Sequence, residues 1–108
     1  MIRSFLYVPA SSERFVAKAH ERGADAVVLD LEDSVAPHEK ERARAGLGDA
    51  VAAVSRNGAK VFVRINSTED LILADAEAAC RAGAFGLFVP KTSHANPTLG
   101  RGKNFALF

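Results

Sequence analysis

Residues 27–35 read VVLDLEDSV. Four apolar residues, Val27, Val28, Leu29 and Leu31, run into three carboxylates, Asp30, Glu32 and Asp33. A strand buried on both faces excludes acids, because an ionised group loses its hydration there. The stretch therefore reads as a buried strand whose C-terminal end reaches a polar surface. Where that surface lies depends on the rest of the chain.

Three more apolar runs accompany the strand ADAVVLDLED (24–33): SFLYVPA (4–10), KVFVRIN (60–66) and AFGLFVPK (84–91). The stretches between them have helical character. SSERFVAKAHERG (11–23) starts with Ser11 or Ser12 as N-cap and stops at Gly23. HEKERARAGLGDAVAAVSRNG (38–58) follows Pro37, which suits a first helical position. Gly46 and Gly48 weaken it by roughly 1 kcal/mol each relative to Ala. TEDLILADAEAACRAG (68–83) is capped by Ser67 or Thr68, repeats Leu71, Ala74 and Ala78 at helical spacing, and ends at Gly83. The order β-α-β-α-β-α-β predicts an α/β fold of parallel βα units joined by right-handed crossovers. The near-continuous apolar strands predict a sheet covered on both faces. TSHANPTLGRGKNFALF (92–108) has no sustained period and reads as irregular.

The chain has 108 residues, enough for one domain with its own core. Its 14 basic and 13 acidic residues nearly cancel, giving no electrostatic reason to expect nucleic acid or an anionic membrane as a partner. No apolar run is long enough to span a bilayer, and MIRSFLYVPA lacks the long apolar core of a signal peptide. The expected location is the cytoplasm. The single cysteine, Cys80, excludes an internal disulfide and a cysteine zinc cluster; within EAACRAG it reads as a small buried thiol. His20, His38 and His94 read as surface residues, with no partner at metal-ligand spacing.

Each strand ends in something chemically useful: Pro9-Ala10-Ser11-Ser12, then Asp30, Glu32 and Asp33, then Arg64 and Asn66, then Pro90-Lys91. In parallel α/β folds the strand C-termini open on one rim, where ligands bind. Alternation along a strand puts Asp30 with Glu32 on one face, and Arg64 with Asn66. A guanidinium there can grip a substrate carboxylate in bidentate fashion, and neighbouring carboxylates can hold Mg²⁺ through its waters. The plain alternative is that Arg64 only neutralises Glu32 or Asp30. Arg14 and Lys18, four apart after the first strand, are either a phosphate-gripping pair or a solvated helix face.

In order and spacing, RSFLYVPASSERFVAKA, GADAVVLDLEDSVAPHEKERAR, VFVRIN and GLFVPK resemble the citrate lyase β-subunit-like family. That family belongs to the HpcH/HpaI aldolase superfamily, which includes malyl-CoA and methylmalyl-CoA lyases. The resemblance covers about residues 2–91, and its specific part is DLED-V-AP followed by an R-[VI]-N strand. It implies a TIM (β/α)₈ barrel, of which this chain carries the N-terminal half. It implies Mg²⁺ as cofactor and carbon–carbon cleavage of acyl-CoA thioesters or 2-oxo/2-hydroxy acids, with no nucleic-acid or membrane partner. In such enzymes the metal chelates the oxo-acid, and an arginine steadies its carboxylate and the developing enolate.

The resemblance implies these roles residue by residue. Arg64 matches the arginine, and Glu32 and Asp33 match acids that approach the metal through water. On the substrate side the resemblance places Arg64, with Arg14 and Lys18 in the region that meets the CoA phosphates; Asn66 and Lys91 join them as polar residues at the strand ends. The direct metal ligands, a Glu and an Asp, are expected beyond the end of this chain, since a full barrel needs roughly 200 residues or more. The family carries Gly where Ala10 stands, and resembles the chain no further than Lys91. Residues 1–91 are thus expected to be a partial barrel domain and 92–108 an unrelated tail, as in a truncated or frameshifted product. Open strand edges would favour self-association, as a homo-oligomer. Two alternatives stand beside the lyase: a non-catalytic fragment acting only through assembly with another chain, and a small flavodoxin-like ligand-binding domain. The latter lacks a glycine-rich phosphate loop after its first strand.

Overall fold

A computed structural model of the protein describes residues 2–90 and, by backbone alone, 105–107. Four strands lie in chain order and run parallel: β1 (Phe5–Pro9), β2 (Ala26–Asp30), β3 (Lys60–Arg64) and β4 (Gly86–Pro90). This is the expected parallel βα array. A short fifth strand, β5 (Phe105–Leu107), adds antiparallel to β4, pairing Phe88 with Leu107 and Pro90 with Phe105. It falls in a segment read from sequence as irregular, because three residues are too few to show a period of two. The rest of 91–108 lies outside the described residues.

Helices fill all three stretches expected between the strands, but not with every expected boundary. Helix α1 (Glu13–Lys18) is capped by Ser12, whose Oγ accepts the Phe15 N–H at 3.3 Å, and a 3₁₀ turn over Ala19–Arg22 continues it. Gly23 ends that turn at φ +73°, a left-handed conformation that a side chain would strain. The stretch expected to be one helix is two, α2 (Lys40–Ala45) and α3 (Leu47–Val54), parted at Gly46. Helix α4 (Ile72–Ala82) starts later than Ser67 or Thr68. The Thr68 carbonyl accepts from the Leu71 and Ile72 N–H groups, making a turn ahead of the helix instead of a side-chain cap.

Strand β2 lies between β1 and β3 and is buried at every residue. One face of the sheet carries Val8, Val27, Leu29, Val61 and Val63, which pack with Val16, Leu47, Val51, Val54 and Ala79 of the helices. Leu29, Leu31 and Ile65 are fully enclosed, and each contributes about 1.5–3 kcal/mol by burial. The opposite face is aromatic. Phe62 stacks with Phe88 at 5.4 Å between centroids, meets Phe85 edge-on at 5.5 Å, and touches Phe5. Phe5 and Phe85 remain 47% and 62% exposed, so no helix among the described residues covers this second face. The expectation of a sheet covered on both sides holds here on one side.

Helix α4 turns Asp75 and Ala79 inward. That phase puts Cys80 on the exposed side, correcting its reading as a buried thiol. His38 is exposed and His20 is half-buried, with its Nδ1 enclosed. His94 lies outside the described residues. No described helix is long and apolar enough to cross a membrane.

Candidate active site

The register gathers the strand ends into one row: Pro9 pairs with Asp30, Asp30 with Arg64, and Arg64 with Phe88. Paired residues of a parallel sheet project to the same side. Asp30 and Arg64 therefore meet directly, with Arg64 Nε donating to Asp30 Oδ1 at 2.8 Å and Nη2 to Oδ2 at 2.6 Å. The Tyr7 ring, in the row below, lies 5.5 Å from the Arg64 guanidinium carbon. Glu32 Oε1 stands 3.7 Å from Arg64 Nε.

Asp30 also organises the turn that follows it. Its carboxylate accepts the Glu32 N–H at 2.8 Å, the Ser34 N–H at 2.8 Å and the Ser34 hydroxyl at 2.6 Å. Burial alone would raise the Asp30 pKa; the bonds from Arg64, then Ser34 and Glu32, outweigh it and hold it at about 2. Arg64 is shifted further upward, chiefly by its hydrogen bond to Asp30. Glu32 goes the other way from Asp30: burial first, then the Asp33 charge, raise its pKa, against the pull of Arg64. The two acids thus differ in kind. Asp30 is a fixed anion spent on Arg64, and Glu32 is a half-buried carboxylate that holds its proton more readily than usual.

Asn66 does not join Arg64. Strand β3 ends at Arg64, and past that point the alternation that would put both on one face no longer applies. The Asn66 side chain turns to the helices. Its Nδ2 donates to the Leu31 carbonyl at 2.9 Å and to Asp75 Oδ2 at 2.6 Å, and its Oδ1 accepts from Lys40 Nζ at 2.8 Å. The residue is 4% exposed, and its side-chain amide is taken up by these three partners. Arg14 and Lys18 are both exposed on α1; Lys18 lines a cavity of about 260 Å³ with Tyr7, Phe15 and Arg22, and Arg64 is not among its lining residues. Asp33 is exposed at the turn, and Lys91 lies outside the described residues.

Four residues of this region were not singled out from the sequence: Ser34, Lys40, Arg44 and Asp75. Asp75 Oδ2 accepts the Asn66 N–H at 2.9 Å, and its Oδ1 accepts from Arg44 at 3.1 Å. The signal was charge on an inward stripe. Asp75 falls between Ile72 and Ala79 on the packed side of α4, while Lys40 and Arg44 flank the buried Ala43 on α2.

A parallel sheet whose rim carries an arginine clamped by one carboxylate and flanked by another defines an α/β protein with a charged cluster at its strand ends. Comparison with known proteins gives that class a family. Residues 3–99 match the HpcH/HpaI aldolase/citrate lyase family, and the chain belongs to it. It is 42% identical over 94 residues to a (3S)-malyl-CoA thioesterase of Cereibacter sphaeroides, covering 86% of this chain and 33% of the relative. It is 36% identical over 98 residues to the citrate lyase subunit beta of Escherichia coli, covering 90% of this chain and 32% of that one. Among solved structures, the citrate lyase beta subunit of Mycobacterium tuberculosis complexed with oxaloacetate and magnesium superposes with a TM-score of 0.62 at 34% identity, over 82% of this chain and 38% of the other. The chain spans about a third of the length of the curated relatives it matches.

Proposed function

We propose that this chain forms the arginine-bearing part of a Mg²⁺-dependent carbon–carbon lyase acting on acyl-CoA thioesters or 2-oxo/2-hydroxy acids, within a (β/α)₈ barrel. The bidentate Asp30–Arg64 pair at the sheet rim carries the reading. A guanidinium locked in place and kept charged costs little to reorganise when a substrate carboxylate arrives or enolate charge develops. The magnesium-bound relative and the oxaloacetate in its complex support both the metal and the class of acid.

The residues present fit an outer place around such a metal. Asp30 has its oxygens engaged by Arg64, Ser34 and Glu32, and among the described residues no three His, Cys, Asp or Glu side chains converge as ligands. Burial and then the charge of the adjacent Asp33 raise the Glu32 pKa, and a nearby dication would offset that charge. The two carboxylates would hold it through its waters. Bound there, Mg²⁺ supplies the Lewis-acid polarisation of the oxo-acid. Glu32, Asp33 and Arg64 are assigned to the catalytic end of the site, and Arg14, Lys18 and Lys91 to the approach of the thioester.

The test is Mg²⁺-dependent turnover of malyl-CoA or citryl-CoA by the purified chain and by Arg64→Ala. Carbon–carbon cleavage releases acetyl-CoA, whereas thioester hydrolysis, the reaction named for one relative, releases free CoA. Acetyl-CoA formation that Arg64→Ala abolishes supports the reading; equal turnover in both contradicts it. A second reading, in which the chain acts only when assembled with another chain, is favoured by the edge of β1, unpaired among the described residues, and the exposed Phe5 and Tyr7 on it. Absence of turnover by the isolated chain selects that reading.

A further inference from the structure

We propose that Lys40 is a positioning residue for this site: its ammonium, seated on the Leu31 and Glu32 carbonyls and the Asn66 side chain, sets where the Glu32 carboxylate stands beside Arg64. The role presupposes the assignment of Arg64 and Glu32 to the active site made above.

The ammonium is filled from within the protein. It donates to Leu31 O at 3.1 Å, Glu32 O at 2.6 Å and Asn66 Oδ1 at 2.8 Å, three acceptors for the three donors a lysine has. A lysine so occupied is not a proton donor or substrate ligand; it is a tie. The tie matters because β2 ends at Asp30, and past that point Glu32 has no place in the strand ladder. Glu32 is instead held from both sides of its backbone. Asp30 Oδ1 takes its N–H at 2.8 Å, and Lys40 takes its C=O.

The other end of the tie is fixed as firmly. Asn66 cannot turn its amide over, since Nδ2 is bound to both Leu31 O and Asp75 Oδ2. Asp75 is in turn held by Arg44, which sits four residues after Lys40 on α2. The network therefore leaves α2 through Lys40, crosses the rim turn, Asn66 and Asp75, and returns to α2 through Arg44. Its anion, Asp75, and its amide, Asn66, are both buried. Buried polar groups with all partners present make such a frame rigid, and removing one partner leaves others unsatisfied.

The experiment compares backbone amide hydrogen exchange in the wild-type chain, Lys40→Met and Lys40→Arg. Glu32 and Ser34, whose N–H groups rest on Asp30, report the turn; Val28 and Val63 report the sheet. A positioning role predicts exchange at Glu32 and Ser34 that is about tenfold faster or more in Lys40→Met, with Val28 and Val63 far less affected, and recovery of part of the protection in Lys40→Arg. Unchanged exchange at the turn, or an equal increase at all four amides, would overturn it. Should Lys40→Met not fold, Lys40→Gln, which keeps an amide donor, is read by the same comparison. A second arm measures oxaloacetate binding by calorimetry in the presence of Mg²⁺. Binding by wild type that weakens about tenfold in the folded variant supports the role, and equal affinity contradicts it. If wild type itself does not bind, the active-site reading fails, and the exchange comparison alone decides whether Lys40 sets the turn.

Discussion

Asp30 and Arg64 lie opposite each other in the β2–β3 ladder, and two hydrogen bonds join their side chains, at 2.8 and 2.6 Å. The pair is 2% exposed on the aspartate side, so its two charges depend on each other more than on water. A buried pair is weak evidence of stabilisation in itself, but breaking it is expensive. Asp30→Asn should therefore cost about 3 kcal/mol of stability in urea unfolding. A loss below about 1 kcal/mol would show that Arg64 does not depend on that charge.

Acid should expose the same dependence. The Asp30 pKa is about 2 in the folded protein against 3.8 for the free side chain. A depressed carboxylate pKa stabilises the fold above the unfolded value, and that contribution disappears as pH falls through the folded value. Stability on the order of 2 kcal/mol should thus be lost between about pH 4 and pH 2, and Asp30→Asn should lack that part of the slope. Glu32 acts with opposite sign: its raised pKa favours the folded state while protonated, and its ionisation on raising the pH costs stability. Urea midpoints from pH 2 to 7 for both proteins check this.

Asp75 should matter to the fold far more than its place in an alanine-rich helix suggests. Asp75→Ala strands the Asn66 N–H, the Asn66 amide and the Arg44 guanidinium together. The expected loss is about 3 kcal/mol or more, with the transition remaining cooperative. An effect within about 0.5 kcal/mol, typical of a surface position, would contradict the buried network.

Two glycines should respond in opposite directions. Gly83 ends α4 at φ +86°, so Gly83→Ala should destabilise by about 1 kcal/mol. Gly48 lies within α3 at an ordinary helical geometry, and a Cβ there meets nothing within 4 Å. Gly48→Ala should stabilise by roughly 0.5 kcal/mol. Thermal unfolding of the two variants checks both signs.

The sequence makes the sheet legible because four apolar runs, separated by three helix-like stretches, leave few topologies open. The rim was legible for the same reason: DLED and Arg64 stand at strand ends, and parallel pairing brings strand ends together. Two kinds of feature escaped. The alternation that places Asn66 with Arg64 stops being valid where β3 stops, at Arg64. Asp75, Lys40 and Arg44 look like ordinary surface charges until the phase of each helix is known, and α4 begins later than its cap candidates indicated. Cys80 was misread by that same phase. The split of the middle helix at Gly46 was foreshadowed by two poor helix formers, but their cost alone does not say which one breaks it.

The claim on which the rest depends is that Arg64, oriented by its two hydrogen bonds to Asp30, meets the substrate carboxylate at this rim. Arg64→Lys keeps the charge and loses the planar pair of donors. Calorimetric titration of the wild-type chain and this variant with oxaloacetate in the presence of Mg²⁺ tests it most directly. The account predicts binding by the wild type and an affinity at least about tenfold weaker in Arg64→Lys; equal affinity in the two would contradict it.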